Sequence, residues 1–353
     1  MSSLKEMKMK RILVLIACIM LLMSCRSSMT DIDAFEVVTE ITDYDSLFSD
    51  KETPLGVIVN LEVRNGIIVT EHGNDEYNFS FIDASTGNLL KRWGKRGEGD
   101  NEFIDFGNGF VLTDSLLIFQ ERMRKMICSV SVTDILDEGC ASIATKESYP
   151  YTVDFRPLIF NIVNGKKIFA GCFKTGRLGV INSRNEIMEC PFEYPFSTEP
   201  LAGVMRGSVF QCKIKSNEKQ RKTIVQTLAS DVFEIYQCSD TALSRIYVSP
   251  FNNPPKLRKS GNRYGIDYDE SIAGLMKMAV SDDFIYFTYS SLRSNEKERL
   301  GNSVNEILCF NWNGEKVRKY LLPIPITSFC ADKQYIYGIC NNEEETIIYR
   351  FKL

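Results

Sequence analysis

The chain has 353 residues, of which 44% are hydrophobic and 25% charged, a balance typical of a globular protein with a large core. Its 42 basic residues face 46 acidic ones, and the body has no polybasic run, which excludes the electrostatic surface of a nucleic-acid-binding protein. His72 is the single histidine. Multi-histidine zinc, copper and haem sites are therefore excluded, and any Ser-His-acid or Cys-His mechanism would depend on His72.

The amino terminus has the pattern of a signal peptide. Basic residues concentrate between positions 5 and 11, and an uncharged apolar run, ILVLIACIMLLM, follows from Ile12 to Met23. As a helix this run would rise only about 18 Å, whereas a hydrocarbon core is about 30 Å thick. The pattern therefore predicts a cleaved signal peptide over residues 1–24 and disfavours a permanent transmembrane helix.

The apolar run ends on Leu22-Met23-Ser24-Cys25, which resembles a bacterial lipobox. The resemblance implies that the Cys25 thiol receives diacylglycerol and that cleavage leaves Cys25 as the first residue of a membrane-anchored lipoprotein. The alternative is a cysteine that happens to follow an ordinary signal peptide. Residues 25–54 then comprise the lipidated cysteine, a polar tether and a lead-in segment that connects the tether to the folded domain.

The remaining cysteines are predicted to be mostly free and buried. The chain has 11 cysteines, and no CxxC spacing occurs, which argues against thioredoxin-like and zinc-ribbon sites. The best-defined contexts are typical of strand cores, where cysteine acts as a small hydrophobe; they surround Cys128, Cys172, Cys309, Cys330 and Cys340. One or two disulfides remain an alternative in an oxidising envelope.

From residue 55 onward the pattern predicts an all-β fold. Short runs of β-branched and aromatic residues alternate with Gly, Asn and Asp turns, and sustained helical periodicity is scarce. An apolar strand, a polar turn and a second strand recur six times. These units lie at 61–90, 110–119, 162–187, 207–236, 278–320 and 328–351, with a polar loop at 252–270.

A unit of about 50 residues matches one blade of a β-propeller, which contains four strands and their loops. The sequence therefore predicts a six-bladed β-propeller over residues 55–353. Closing the ring would also protect the sheet edges of so many short strands. Two stacked β-sandwich domains are the rival interpretation.

The segment after the first hairpin reads WGKRGEGDNEF, from Trp93 to Phe103. It resembles the signature of the TolB-like six-bladed propeller lipoproteins of Bacteroidota, the BF3164-like family, in which an aromatic-Gly-basic-x-Gly-x-Gly-Pro-x-Glu-Phe run follows the first blade. Asp100 replaces the family proline, whereas five positions fit: Gly94, Gly97, Gly99, Glu102 and Phe103. The resemblance implies a lipid-anchored six-bladed propeller in a family largely without an assigned activity.

This family loop motif is expected to be structural. Its three glycines permit positive φ and close backbone approach, which predicts a sharp turn between the first two blades. Glu102 would cap backbone amides and Phe103 would be buried beneath the loop. The functional alternative is that the loop amides, Lys95 and Arg96 line a ligand-binding mouth. The motif does not match a nucleotide-binding pattern.

Other candidate chemistry has a simpler structural explanation. His72 is placed just past a strand, where a solvated or hydrogen-bonded loop histidine is expected rather than a catalytic base. The acidic pairs Asp75-Glu76 and Asp282-Asp283 fall at turns, where aspartate is favoured locally. They would serve glycoside hydrolysis only if the fold placed two carboxylates about 5 to 9 Å apart across a sugar.

These observations favour a lipid-anchored envelope propeller that binds a protein or glycan partner through one face, without catalytic residues, metal or cofactor. Its predicted location is the cell envelope, with the outer membrane favoured over the inner and the propeller in the periplasm or at the cell surface. The alternative is a carbohydrate-active hydrolase or lyase with carboxylates at the channel mouth, which the fold alone does not exclude.

Overall fold

The predicted strands form six predominantly antiparallel sheets, called blades 1 to 6 in the order of their innermost strands. The structure is a computed structural model. It describes residues 31–51, 53–99, 102–104, 106–138, 144–182, 184–190, 192–251, 253–342 and 344–353. The signal peptide and Cys25 lie outside the described residues.

Blades 1 to 3 each contain four strands in consecutive order from the inside to the outside of the ring. Blade 1 consists of β3 (Ile58–Arg64), β4 (Ile67–His72), β5 (Tyr77–Asp83) and β6 (Leu89–Lys95). Blade 2 consists of β7 (Phe106–Leu112), β8 (Leu116–Glu121), β9 (Met126–Ser131) and β10 (Thr145–Ser148). Blade 3 consists of β11 (Phe155–Val163), β12 (Lys166–Phe173), β13 (Leu178–Ile181) and β14 (Ile187–Cys190).

Strand numbers follow the chain, and β1 (Val38–Glu40) and β2 (Tyr44–Ser49) precede blade 1 in sequence but belong to blades 5 and 6. Blade 4 consists of β15 (Cys212–Asn217), β16 (Lys222–Thr227), β17 (Phe233–Cys238) and β18 (Leu243–Val248). Blade 5 consists of β21 (Ile272–Val280), β22 (Phe284–Arg293), β23 (Val304–Asn311), β24 (Lys316–Ile326) and then β1. Blade 6 consists of β25 (Ser328–Ala331), β26 (Tyr335–Asn341), β27 (Thr346–Lys352) and then β2.

Between blades 4 and 5 a separate hairpin is formed by β19 (Leu257–Ser260) and β20 (Arg263–Ile266). The described helices are short: α1 (Val132–Leu136), α2 (Val204–Val209) and α3 (Ser294–Arg299). None of the helices in the described ranges is long and apolar enough to cross a membrane.

The ring is closed by a strand from the amino-terminal end of the described chain. Strand β2 pairs antiparallel with β27, the last strand, with Tyr44 opposite Phe351 and Phe48 opposite Ile348. Arg350 adds a two-point ion pair to Asp45, with Nε–Oδ1 and Nη2–Oδ2 distances of 3.1 and 2.9 Å. Because β2 covers the outer edge of blade 6, both ends of the ring are held in one sheet.

The innermost strands of neighbouring blades contact one another around the whole ring, in the order β3, β7, β11, β15, β21 and β25 and back to β3. This closed order confirms the six-bladed propeller and excludes two stacked sandwiches. Each pair of neighbouring blades shares an apolar core. Between blades 1 and 2, for example, Phe79 and Phe119 are fully buried with ring centroids 5.4 Å apart.

One buried polar network joins blades 3 and 4. The Arg177 guanidinium donates to Glu234 Oε2 at 2.8 Å and to the Thr227 hydroxyl at 3.0 Å. Tyr236 and Arg245 donate to the other Glu234 oxygen at 2.7 and 2.9 Å. A fully buried carboxylate needs such partners, because an uncompensated charge in a protein interior is costly.

Three expectations differ from the structure. The lead-in before residue 55 contributes β1 and β2 to the propeller, so the blade strands begin before the expected boundary. The loop expected at 252–270 contains the β19–β20 hairpin, where Leu257, Tyr264 and Ile266 pack on a small apolar cluster. His72 is the last residue of β4 rather than a loop residue, and it is 2% exposed.

The cysteine contexts are largely as expected. Cys128, Cys172, Cys309 and Cys330 are buried free thiols, and Cys340 is a half-buried free thiol. Burial raises the pKa of the Cys128 and Cys309 thiols to about 12, so these side chains stay protonated and pack as small hydrophobes.

We expect Phe48→Ala to lower the free energy of unfolding by about 3 kcal/mol, because Phe48 is 8% exposed and anchors β2 in the core between blades 6 and 1. Urea unfolding followed by tryptophan fluorescence measures the change. Val38→Ala is the control, since Val38 is 51% exposed on β1 and should change stability by no more than about 0.5 kcal/mol. Equal effects of the two substitutions would contradict the closure by β2.

Candidate functional site

The central channel contains two connected chambers. We define the upper chamber, about 570 Å³, by six of its lining residues: Asn60, Glu71, Arg96, Asn161, Lys213 and Lys277. The lower chamber, about 410 Å³, is defined by Glu62, Arg64, Asp114, Lys215, Lys219 and Asp282. The inner strands begin at the upper chamber and end at the lower one, and Lys215 and Asn161 line both.

Strand alternation explains why polar side chains line the channel. On β15, Lys213 and Lys215 lie two residues apart and share the channel face, whereas Ile214 between them is buried in the core of blades 3 and 4. On β3, Asn60 and Glu62 flank the buried Leu61 in the same way. Each inner strand therefore presents one face to its blade core and the other to the channel.

Glu71 is the carboxylate of the upper chamber. It lies on β4, is 5% exposed and accepts a hydrogen bond from Asn60 Nδ2 at 2.6 Å. Burial raises the pKa of Glu71 to about 7, although the Asn60 hydrogen bond and the charges of Arg96 and Lys277 oppose the shift. Glu71 is therefore protonated in a substantial fraction of molecules at neutral pH.

Two lysines from other blades line the same chamber, and the charge of one of them, Lys277, acts on Glu71. The Lys213 ammonium donates to the carbonyl of Met276 at 2.8 Å. Burial, with the charge of Lys277 as a second cause, lowers the pKa of Lys213 to about 7. The pKa of Lys277 is also lowered by burial, and Glu71 opposes that shift. Among the described residues the Lys277 ammonium has no hydrogen-bond or ion-pair partner.

The remaining cation at this mouth is Arg96, from the family loop. Its guanidinium donates to three backbone carbonyls, those of His72 and Gly73 at 2.8 Å and that of Asp75 at 2.9 Å. Arg96 thus ties the loop after β6 to the turn after β4. The Arg96 side chain also lines the upper chamber, although its Nε and Nη2 groups already donate to these carbonyls.

The rest of the family loop packs on itself. Glu102 Oε2 accepts from the Gly99 amide at 3.1 Å, and a Cβ at Gly97, whose φ is +156°, would collide with the Glu102 carboxylate. Gly94 has a φ of +75°. Phe103 is fully buried against Phe119, with ring centroids 4.9 Å apart. The five motif residues therefore surround the turn between blades 1 and 2, whereas Arg96 lies at the channel mouth.

His72 is held by protein groups on both ring nitrogens. Nδ1 lies 3.4 Å from the carbonyl of Gly56, which can only accept, so Nδ1 carries the proton and Nε2 accepts from the Ser80 hydroxyl at 2.9 Å. Burial lowers the pKa of His72 to about 4. A neutral histidine with both nitrogens engaged has no free position from which to act as a base.

One residue of each acidic pair, Asp75 and Asp282, is bound by neighbouring cations. Asp75 pairs with Arg92 and accepts from the Gly56 amide at 2.9 Å. Asp282 lies in the lower chamber, where the Arg64 guanidinium contacts its Oδ1 at 3.4 Å and Asp114 Oδ1 at 2.6 Å. A guanidinium therefore lies between Asp114 and Asp282, in the space that a glycosidic bond would need.

Within the described ranges, no group of three or more His, Cys, Asp and Glu side chains is placed to hold a metal ion. The lining of the upper chamber in this part of the chain combines four cationic residues, Arg96, Lys213, Lys215 and Lys277, with one carboxylate, Glu71. Its chemistry is that of a positively charged, polar cavity without a pair of facing acids.

Four residues of the upper chamber were not predicted from the sequence: Asn60, Glu71, Lys213 and Lys277. A signal for Lys213 was present, because a strand that alternates apolar and charged residues, as Lys213-Ile214-Lys215 does, has a polar face. Nothing in the sequence distinguishes a polar face on the channel from one on the outer surface. Glu71 gives no such signal, since it lies in a strand that is buried along most of its length.

A comparison with known families matches residues 40–334 to the TolB-like 6-blade propeller-like family. Among solved structures, a protein described as exported, from Bacteroides fragilis, superposes with a TM-score of 0.57 at 13% identity, covering 90% of this chain and 99% of that one. A member of the DUF4221 family from Bacteroides vulgatus superposes with a TM-score of 0.52 at 11% identity, covering 90% and 98%. Identities this low establish the fold alone. No curated protein matches the chain.

We expect Glu71→Gln to stabilise the protein at pH 8 by about 2 to 3 kcal/mol relative to wild type and to have little effect at pH 4.5. The pKa of Glu71 is raised to about 7 in the folded protein, so its favourable contribution is complete below the unfolded pKa and is lost as the pH rises through 7. Glutamine mimics the protonated carboxyl at every pH. Urea unfolding of both proteins at the two pH values measures the difference.

Glu76→Gln is the matched control, because Glu76 is exposed and pairs at the surface with Lys95. His72 has the opposite effect, because its pKa is lowered to about 4 in the folded protein. Its contribution to the free energy of unfolding is lost as the pH falls from 6.5 through 4, and this loss is common to the wild type and both variants. A Glu71→Gln difference that does not change between pH 4.5 and pH 8 would contradict the raised pKa.

Proposed function

This chain belongs to the TolB-like six-blade propeller family, and from that premise we propose that it is a lipid-anchored binding module of the cell envelope. It holds a protein or glycan partner through the upper face of the ring and performs no chemistry of its own. Its fold is shared with a Bacteroides fragilis protein described as exported, which supports a location in the envelope or outside the cell.

The observation that carries the proposal is an apolar patch on the upper face around blade 2. We define the upper-face patch by Ile104, Met123, Tyr151 and Val153, which are exposed by 39%, 67%, 45% and 72%. The four residues come from the three loops after β6, β8 and β10. Exposed apolar groups are typical of interaction sites, and methionine and tyrosine are enriched there.

Hydrogen bonds hold the three loops of the patch together. Arg124 donates to the carbonyls of Glu98 and Glu102 at 3.0 and 3.1 Å, which joins the family loop to the β8–β9 turn. The Tyr149 amide donates to the carbonyl of Lys125 at 3.0 Å, and the Lys125 ammonium lies 4.7 Å from the centre of the Tyr151 ring. The apolar side chains are thus presented on an ordered platform, which lowers the entropic cost of binding.

The enzymatic alternative has less support. The lower chamber does bring Asp114 and Asp282 together, but Arg64 lies between them. In the upper chamber His72 is neutral and engaged on both nitrogens, and Glu71 faces lysines rather than a second acid. This arrangement is better suited to binding a ligand than to general acid–base catalysis.

We expect chemical crosslinking in intact cells, followed by purification from envelope membranes, to capture a defined partner with wild-type protein and to lose at least 90% of it with Tyr151→Asp/Val153→Asp. A charge in the centre of the patch would have to be desolvated on binding. The control is Ile246→Asp, since Ile246 is 48% exposed on β18, the outer strand of blade 4. A glycan array run in parallel identifies a carbohydrate partner.

Two outcomes would contradict the binding role through the upper face. In one, neither crosslinking nor the array yields a partner for the wild-type protein. In the other, the patch variant retains every partner that the wild type captures.

The anchor is a separate proposal that rests on Leu22-Met23-Ser24-Cys25. We expect Cys25→Ala to move the protein from the membrane pellet to the soluble fraction, because two acyl chains, at about 0.8 kcal/mol per buried methylene, supply most of the membrane affinity. Ser24→Ala keeps a small residue before the cysteine and is the control. Immunoblotting of fractionated cells measures the distribution, and continued membrane association of Cys25→Ala would contradict lipidation.

A further inference from the structure

The upper chamber contains positive charge that the described residues leave uncompensated. The Lys213 ammonium contacts a backbone carbonyl, and no carboxylate of the described residues lies within ion-pair distance of it. Lys277 has no partner there, and Glu71 has its closest polar contact with the amide of Asn60. Lys215, in contrast, is paired with Glu62 towards the lower chamber.

Such cations are costly in a confined cavity unless an anion accompanies them. A lysine held away from bulk water loses hydration, and a bound counter-charge restores the lost interaction. Lys213 on β15 and Lys277 on β21 come from neighbouring blades, so two independent strands direct their ammoniums to one cavity. This convergence provides a site for a single negative group.

The other groups in the chamber suit a polyhydroxylated ligand. Asn60, Asn161 and Gln211 contribute amides, and the half-buried Val59 and Ile159 contribute apolar contact. Amides can both donate to and accept from hydroxyl groups, and the apolar side chains can cover the faces of a sugar ring. A volume of about 570 Å³ is within the usual range of small-ligand sites.

We propose that the upper chamber binds an acidic sugar, with its carboxylate between Lys213 and Lys277 and its hydroxyls on Asn60, Asn161 and Gln211. The inference rests on the proposed binding function and names the ligand class for the channel. A fork-like phosphate clamp is disfavoured, because the Arg96 guanidinium is already committed to three carbonyls and the remaining cations are point charges.

The site should bind more tightly at lower pH. Protonation of Lys213 adds a positive charge and protonation of Glu71 removes a negative one, and both have a pKa of about 7. Four other charged or titratable side chains line the chamber with Lys213: Lys277 from β21, Glu71 from β4, Arg96 from the loop after β6 and Lys215 from the same strand. The strands β11 and β25 contribute the uncharged Asn161 and Ser328. The affinity of the chamber for an anion should therefore increase as the pH falls from 8 to 6.

The test is isothermal titration calorimetry at pH 6 with galacturonate, glucuronate and N-acetylneuraminate, each compared with its methyl ester. The ester keeps the ring and hydroxyls but removes the charge. We expect at least one acid to bind and its ester to bind at least tenfold more weakly. Affinity for the acid should fall about tenfold between pH 6 and pH 8, as Lys213 passes from mostly protonated to mostly neutral.

Lys213→Met and Lys277→Met should each weaken binding of that acid at least tenfold, whereas Lys213→Arg should retain most of it. Lys219→Met is the control, because Lys219 lies at the lower chamber with its side chain 64% exposed. Methionine preserves the aliphatic volume, and replacing a poorly compensated cation by an apolar group is compatible with folding. Circular dichroism and thermal unfolding verify that each variant is folded.

Binding of no acidic sugar, equal binding of acid and ester, or unchanged binding by folded Lys213→Met would overturn the inference. If crosslinking still captures a partner that the upper-face patch variant loses, the binding function stands and only the ligand class in the channel is wrong. If acidic sugars bind as expected but the patch variant retains every captured partner, the channel site stands and the proposed role of the patch fails.

Discussion

Closure of the ring is the constraint on which the rest of the structure depends. If the first and last blades were not joined, their sheet edges would carry unpaired backbone groups and the core between blades 6 and 1 would be exposed to solvent. Strand β2 prevents this by pairing with β27 and placing Phe48 in the core between blades 6 and 1. Once the ring is closed, the six inner strands face one another across a channel, and every side chain on their inner faces shares one confined space.

That confinement gives ordinary residues unusual properties. Lys213, Lys277 and Glu71 lie on three strands of three blades, and each has a pKa shifted away from its usual value because water is partly excluded. The buried Arg177–Glu234 pair shows the other solution to the same problem, in which the protein supplies all the counter-charge itself. The contrast between a neutralised pair inside the blades and unneutralised lysines in the channel is what makes the channel a candidate site.

The two proposed contact regions lie on the same face. The family loop joins them, because Arg96 reaches the channel mouth while Glu102 and Ile104 lie beside the β8–β9 turn of blade 2. A partner seated on the upper-face patch would therefore lie close to the upper chamber. The structural and functional interpretations of the loop are compatible, since its glycines and Phe103 shape the turn and its arginine borders the cavity.

The sequence by itself determined the class of fold and the number of blades, because strand alternation and turn residues act locally and each unit repeats them. It also carries the prediction of a signal peptide and a lipidated Cys25, which depend on contiguous residues. Only the tertiary structure decided that residues before 55 close the ring, that His72 is buried within β4, and that Lys213, Lys277 and Glu71 meet. These facts depend on contacts between strands far apart in the chain, and a local pattern contains no information about which distant polar face it will meet.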